Sequence, residues 1–470
     1  MQKFSLFLRL GFAVGVLSSC FYLLTPTLQT LAQTTVYLPT ISNGSRNTPT
    51  AATGTSTPKA ETTPAPTPTA IVTPAPTTTS LAYTSLWLRN TTGETSPEFT
   101  NVPVNVQSVY TKTVGGKLYQ CITASGIPNH EHTLTATEVQ RLNSRPKAAS
   151  DFVSGATTAS AGQRVHFGED IGYRSSGCTT GAAGYGFWPP GPACPTNQNR
   201  DQCFPLTPEA TTNVCNTGLG SIGTWVNGVA IYGWTDGQSY QNQRVWENDA
   251  YHAETYDLDI CPGHSAMGDY HTHSHPLCLQ EQLGDTGTGH SPIYGFAADG
   301  YPVYGPWHAN GVLAQSCWQT RNYEDANSPT GCGGSGQRSC LLVDQYDISK
   351  GTVAASQTGP KTSDTVTTMS GNQLVAVSGY YFQDYYYDSS CTAQGPQYLD
   401  EHNGHSHDGL GYHYHVSRAQ NADGTIKDLF PYYIGPAFAG TLTSESFAMC
   451  DTDGGPPPLL QRIFDGIGGK

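Results

Sequence analysis

Histidine supplies the chemistry most legible in this chain. In Tyr412-His413-Tyr414-His415, side chains that alternate along a strand put both imidazoles on one face and both tyrosines on the other. The two imidazoles stand roughly 7 Å apart at the backbone, close enough to bind one metal ion together. The same device occurs upstream in Tyr270-His271-Thr272-His273.

Each pair is preceded by a third histidine after a glycine. The first copy runs Asp259, Gly263-His264, Gly268, Tyr270-His271-x-His273; the second runs Asp400, Gly404-His405, Gly409, Tyr412-His413-x-His415. The second carries one extra residue between its first histidine and its pair. The order suggests two related half-sites about a pseudo-two-fold axis. His264, His271 and His273, and then His405, His413 and His415, are the expected ligands. Three imidazoles with an open position suit catalytic zinc, and imidazole also suits copper, so copper or zinc is the expected cofactor. Asp259 and Asp400 are placed to orient a ligating imidazole from behind. Glu254 and Asp299 are the candidate catalytic carboxylates. His407 and His275 break the repeat and are read as solvent-facing or supplementary.

Short strands and tight turns must position these residues. Asn227-Gly228 between apolar runs signals a hairpin, and Asp299-Gly300 signals a second, between Ser291 and Pro306. Strands are expected at 85–88, at 102–110 and at 118–123, the last two parted by Gly115-Gly116. Thr135 with Glu138 marks the start of a helix to Asn143, and a short helix is expected over 275–283. The aromatic run Phe430–Gly435 is expected beside the second cluster.

The chain has 470 residues, with 52 Gly and 32 Pro. The fold class is mainly β: one large elaborated β domain with short helices and disulfide-stapled insertions, the two clusters meeting in its interior. The expected organisation is a signal peptide over 1–32, a Thr/Pro-rich tether over 33–82 and a β domain over 83–455. Gly/Cys-rich insertions fall at about 145–220 and 317–378, and the C-terminus frays over 456–470. Lys3 and Arg9 before the apolar run Leu10–Leu24, then Thr30-Leu31-Ala32, have the layout of a secretory signal cut after Ala32. Cys20 after Leu17-Ser18-Ser19 offers a lipoprotein anchor instead. Of 13 cysteines, 12 remain once Cys20 is set aside, an even number that suits disulfides outside the cell. No later segment is apolar enough to span a membrane. A net charge of −14 argues against nucleic acid as a partner.

The second cluster, with Asp400-Glu401-His402-Asn403-Gly404-His405 before Gly411-Tyr412-His413-Tyr414-His415, resembles the YHYH protein family. So do Gly126-Ile127-Pro128-Asn129-His130, Asn227–Tyr232 and Asp299–Gly305. Thr272 departs from the pattern by replacing a tyrosine, and the Cys-rich insertions are additional. The resemblance implies an exported protein and supplies no reaction. Two functions remain: a redox or hydrolytic metalloenzyme, or a non-catalytic surface module for metal binding or recognition, with structural metal or none. The partner is a small-molecule or surface ligand of unknown identity.

Overall fold

The computed structural model describes residues 83–99, 101–173 and 194–451. The expected signal, Cys20, the tether and the C-terminal stretch 456–470 lie outside the described residues. All described residues fall within one compact unit, Pro74–Lys470. It is mainly β with short helices, and no helix among the described residues is long and apolar enough to cross a membrane.

Strands β1 (Val106–Val114) and β2 (Lys117–Ala124) form a hairpin about Gly115-Gly116, both at positive φ. The helix α1 (Ala136–Ser144) starts at Thr135, whose hydroxyl accepts from Glu138 N while the Glu138 carboxylate accepts from Thr135 N. This capping box satisfies two amides that a helix start leaves without partners. β3 (Arg200–Pro205) pairs with β2, and Cys121–Cys203 bonds directly opposed residues. The stretch 145–220 is therefore not a plain insertion, since it completes this three-stranded sheet. The strand expected at 85–88 does not form. Tyr83–Ser85 is a 3₁₀ turn, and Trp87 instead buries its ring on Phe296, 5.4 Å between centroids.

The larger sheet has eight strands: β4 (Ser221–Trp225), β5 (Ala230–Tyr232), β6 (Gly263–Ala266), β7 (Asp269–Thr272), β8 (Ile293–Ala297), β9 (Pro302–Tyr304), β10 (Gly404–Ser406) and β11 (Tyr412–His415). Between β7 and β8 runs α2 (Leu277–Leu283). The order across the sheet is β6-β7-β5-β4-β8-β9-β11-β10. The two expected turns close β4–β5 and β8–β9, with Gly228 at φ 84° and Gly300 at φ 94°, a region open to glycine. β4 and β8 pair antiparallel at the centre. Outward on each side, a His-bearing hairpin docks parallel: β7 on β5, and β11 on β9. Read from either edge, the pairing pattern is the same.

This order separates the clusters. Five strand steps lie between β7 and β11, about 24 Å along the sheet. The expectation that the clusters meet in the interior is corrected: each His hairpin takes its own turn hairpin as partner, so the two sit at opposite edges. They share a face. His271 pairs with Ala230, Ala230 with Thr224, Thr224 with Phe296 and Phe296 with Pro302, while Tyr304, two residues on, pairs with His415.

The opposite face carries Thr272, Trp225 and Tyr414. Tyr433 lies against it, edge-on to Trp225 at 5.1 Å. Its hydroxyl reaches Thr272 Oγ1 and donates to Ser274 O, while its carbonyl accepts from Asn403 Nδ2, which also donates to His415 O. The 430–435 segment thus backs both clusters, not the second alone. Disulfides Cys215–Cys450, Cys261–Cys278, Cys317–Cys391 and Cys332–Cys340 join further described residues. The 317–378 region forms two small ladders, Cys340–Leu342 with Thr352–Ala354 and Thr365–Thr367 with Gln373–Val375.

Candidate metal centres

The first cluster is built on the β6–β7 hairpin, where His264 and His271 are directly paired. His271 Nδ1 lies 2.8 Å from Asp269 O, and His273 Nδ1 lies 2.9 Å from Gly233 O. A carbonyl only accepts, so these bonds assign the ring proton to Nδ1 and leave both Nε2 atoms as lone-pair donors. Those two Nε2 atoms are 3.0 Å apart. Glu254 Oε2 lies 2.9 Å from His264 Nε2 and 3.1 Å from His273 Nε2. Glu254 Oε2 and His264 Nε2 nevertheless have no hydrogen-bond partner. Four electron-rich atoms, three nitrogens and one oxygen, converge on one point.

The same closeness pairs charge: burial pulls His273 down, but the Glu254 carboxylate overcomes it and raises it. Burial pushes the Glu254 carboxyl up, but the His264 and His273 imidazoles outweigh it and hold it well below the usual carboxylate range. Burial draws His271 well below an ordinary histidine, and His264 and His273 add to the effect. Asp236, buried beside Glu254, is raised well above the carboxylate range by burial and by that neighbour's charge. Tyr232 stacks on His271 at 3.6 Å.

The second cluster repeats this frame on β10–β11, with His405 and His413 paired. His413 Nδ1 is 2.9 Å from Gly411 O and His415 Nδ1 is 2.6 Å from Gly305 O. The Nε2 atoms of His405, His413 and His415 have no partner, and both strand histidines are fully buried. Burial lowers His413 to about 4, with help from His407, His290 and His308. Burial, His413, His407 and His308 lower His405 to about 3. Both rings are thus neutral near pH 7, the form that binds a metal. Among the described residues no carboxylate joins this set. His290 and His407 do, with His413 and His415, and a second set of His308, His405 and His407 adjoins it.

Residues 202–339 match the family model described as YHYH protein. That stretch belongs to the YHYH family. It takes in the first cluster with His290 and His308, and ends before the second cluster. No curated protein and no solved structure matches the chain.

Within and beyond the YHYH stretch, all six expected histidines fall in the two clusters. Glu254 lies among the first set as an oxygen donor. Asp299 lies away from the imidazoles: it accepts from Tyr414 Oη (2.6 Å), Gly440 N (2.9 Å) and Tyr301 N (3.1 Å). Those bonds occupy it behind the sheet. Asp259 and Asp400 do not orient imidazoles, which corrects that expectation. Asp259 accepts from Tyr270 Oη (2.7 Å) and the amides of Cys261 and Gly263. Asp400 accepts from Tyr412 Oη and the amides of His402 and Gly404. They brace the turn and the tyrosine, because the tyrosines alternate onto their side of the hairpin; backbone carbonyls orient His271, His273, His413 and His415 instead.

Nor are His407 and His275 solvent-facing. The His407 side chain is 9% exposed and joins the second cluster, while His275 is buried beside α2. His290 and His308 were missed. Their one sequence signal is position, since they flank the β8–β9 hairpin on either side. The Cys261–Cys278 disulfide beside His130 leaves no thiolate there for a metal.

Proposed function

We propose that this YHYH-family protein binds transition metal at two separate centres, one at each edge of the eight-stranded sheet. One observation carries the reading: imidazoles whose Nδ1 atoms are committed to backbone carbonyls aim bare Nε2 atoms at one another. A buried polar atom without a partner costs roughly 1–3 kcal/mol, so several together rival a domain's whole stability. Structural zinc contributes about 10–16 kcal/mol in small domains, enough to offset that cost.

The ligand chemistry favours copper or zinc. His264, His271, His273 and Glu254 make a closed four-donor set suited to zinc, and the imidazole-rich second centre suits copper. The closed first set, with all three imidazoles buried, favours a structural ion, which supports the non-catalytic reading for that edge. Any redox or hydrolytic chemistry belongs to the second centre, whose His405 and His407 are only partly buried. Its substrate is a small-molecule or surface ligand. The matched pairs Asp259/Asp400, Gly263/Gly404, Tyr232/Tyr304 and Gly233/Gly305 support an internal repeat. The even cysteine count after the signal and the disulfides among the described residues support export, with 1–32 as signal, 33–82 as tether and 83–455 as the β domain.

Elemental analysis of the purified full chain tests this. Bound copper or zinc is expected, lowered but not abolished in His413→Ala/His415→Ala, because the first centre remains. Metal near zero after loading with either ion would refute it.

A further inference from the structure

We propose that the second centre holds two metal ions, bridged by the imidazole of His407. The inference rests on the metal-binding reading above and goes beyond it in stoichiometry and ligand set.

The nitrogens divide into two groups. His290 Nδ1 lies 2.8 Å from Ser291 O, which assigns its proton there and leaves Nε2 bare. That Nε2 is 3.1 Å from His407 Nε2. With His413 Nε2 and His415 Nε2 it makes a four-nitrogen set. On the other edge of the His407 ring lies a different set. His407 Nδ1, His308 Nδ1 and His405 Nε2 are all buried without a hydrogen-bond partner. Ring centroids there are 4.4 Å for His407–His308, 4.4 Å for His407–His405 and 5.4 Å for His308–His405. The carboxylate of Asp408, 84% exposed, lies 3.3 Å from His407 Nδ1. One ring therefore presents a nitrogen to each set, and six imidazoles supply seven nitrogens, enough for two ions.

Counted from the Gly-His-Ser stretch, His407 stands where the first copy has Ala266. His290 and His308 flank the β8–β9 hairpin, while the equivalent β4–β5 hairpin has no histidine beside it from 217 to 236. The second centre thus holds the three repeat histidines plus three more, His290 in the first set, His308 in the second and His407 in both. Bridging requires His407 to release its ring proton to solvent, since both nitrogens then donate to metal.

The test loads the full chain with copper(II) alone and counts bound ions, with paramagnetic resonance as second readout. Three ions per chain are expected, one at the first centre and two at the second. The two bridged ions couple magnetically, so the spin count falls below the copper count. His407→Ala is expected to bind two ions with every copper visible as an isolated spin. His308→Ala, which leaves the bridge in place but strips the outer set, should also lose one ion, and it serves if His407→Ala does not fold. Two ions in the native protein, with full spin count and no change in either variant, would overturn the bridge and leave the two-centre reading standing. No bound copper, and none after a parallel loading with zinc, would overturn the two-centre reading itself.

Discussion

At the scale of single residues, the paired strand histidines are aimed by carbonyls and Asp259 and Asp400 serve the tyrosines. Asp259 shows what this costs. Burial pushes its carboxyl up to about 7, although Tyr270 Oη and two amides pull the other way. Tyr270→Phe removes the strongest side-chain donor and is expected to destabilise the fold by about 1–3 kcal/mol in urea unfolding. The first centre should keep its ion, since no imidazole hangs on Asp259. Loss of metal with unchanged stability would return Asp259 to the role of imidazole orienter. Gly263 is equally constrained: a Cβ there would stand 2.5 Å from Tyr270 Oη, so Gly263→Ala should misplace the hairpin turn.

At the scale of elements, α1 and α2 are tied through one buried imidazole. His132, 4% exposed, bonds Glu138 Oε2 of the capping box at 3.0 Å and Glu281 Oε2 of α2 at 2.9 Å. Burial pulls His132 down, but the two carboxylates overcome it and lift it to about 9. Burial likewise raises Glu138, and His132 with Thr135 overcomes that to bring it to about 2. The folded His132 binds its proton more tightly than the unfolded one. Its stabilisation is therefore complete below about pH 6.5 and disappears as pH rises through about 9. Glu138 acts at the other end: its contribution is present above about pH 4.5 and is lost as pH falls through about 2. Thermal unfolding between about pH 6 and about pH 10 should show a falling Tm that flattens in His132→Gln. Equal slopes in both proteins would show that this tie contributes nothing.

For the whole molecule, the eight-stranded sheet keeps the two centres apart while the disulfides tie distant chain together. Sites about 24 Å apart along the sheet, with no shared ligand, should respond independently to mutation. His271→Ala/His273→Ala should therefore spare metal at the second centre, read by elemental analysis and paramagnetic resonance. Cys215–Cys450 spans 235 residues and bonds Cys450 beside its strand partner Thr217. Cys332–Cys340 spans only 8. Loop-closure entropy makes the longer bridge worth more, about 2–5 kcal/mol. Cys215→Ser/Cys450→Ser should lower the urea midpoint by more than Cys332→Ser/Cys340→Ser does. The reverse order would show that the long bridge links parts already held by packing.

Features that depend on near neighbours are legible along the chain. Alternation on a strand placed His413 with His415 and His271 with His273. Asn227-Gly228 and Asp299-Gly300 determined two hairpins, and Thr135 with Glu138 one helix start, because turns and caps are made by residues a few positions apart. The tertiary structure alone decided which strands those hairpins join. Parallel docking of β7 on β5 and β11 on β9 sent the clusters to opposite edges, where local pattern had suggested a meeting. Long-range closure brought His290 and His308 to the second centre; His290 and His407 are 117 residues apart. No local spacing encodes such a contact. It exists because burial of the sheet's two faces fixes the strand order, and the strand order fixes which side chains converge.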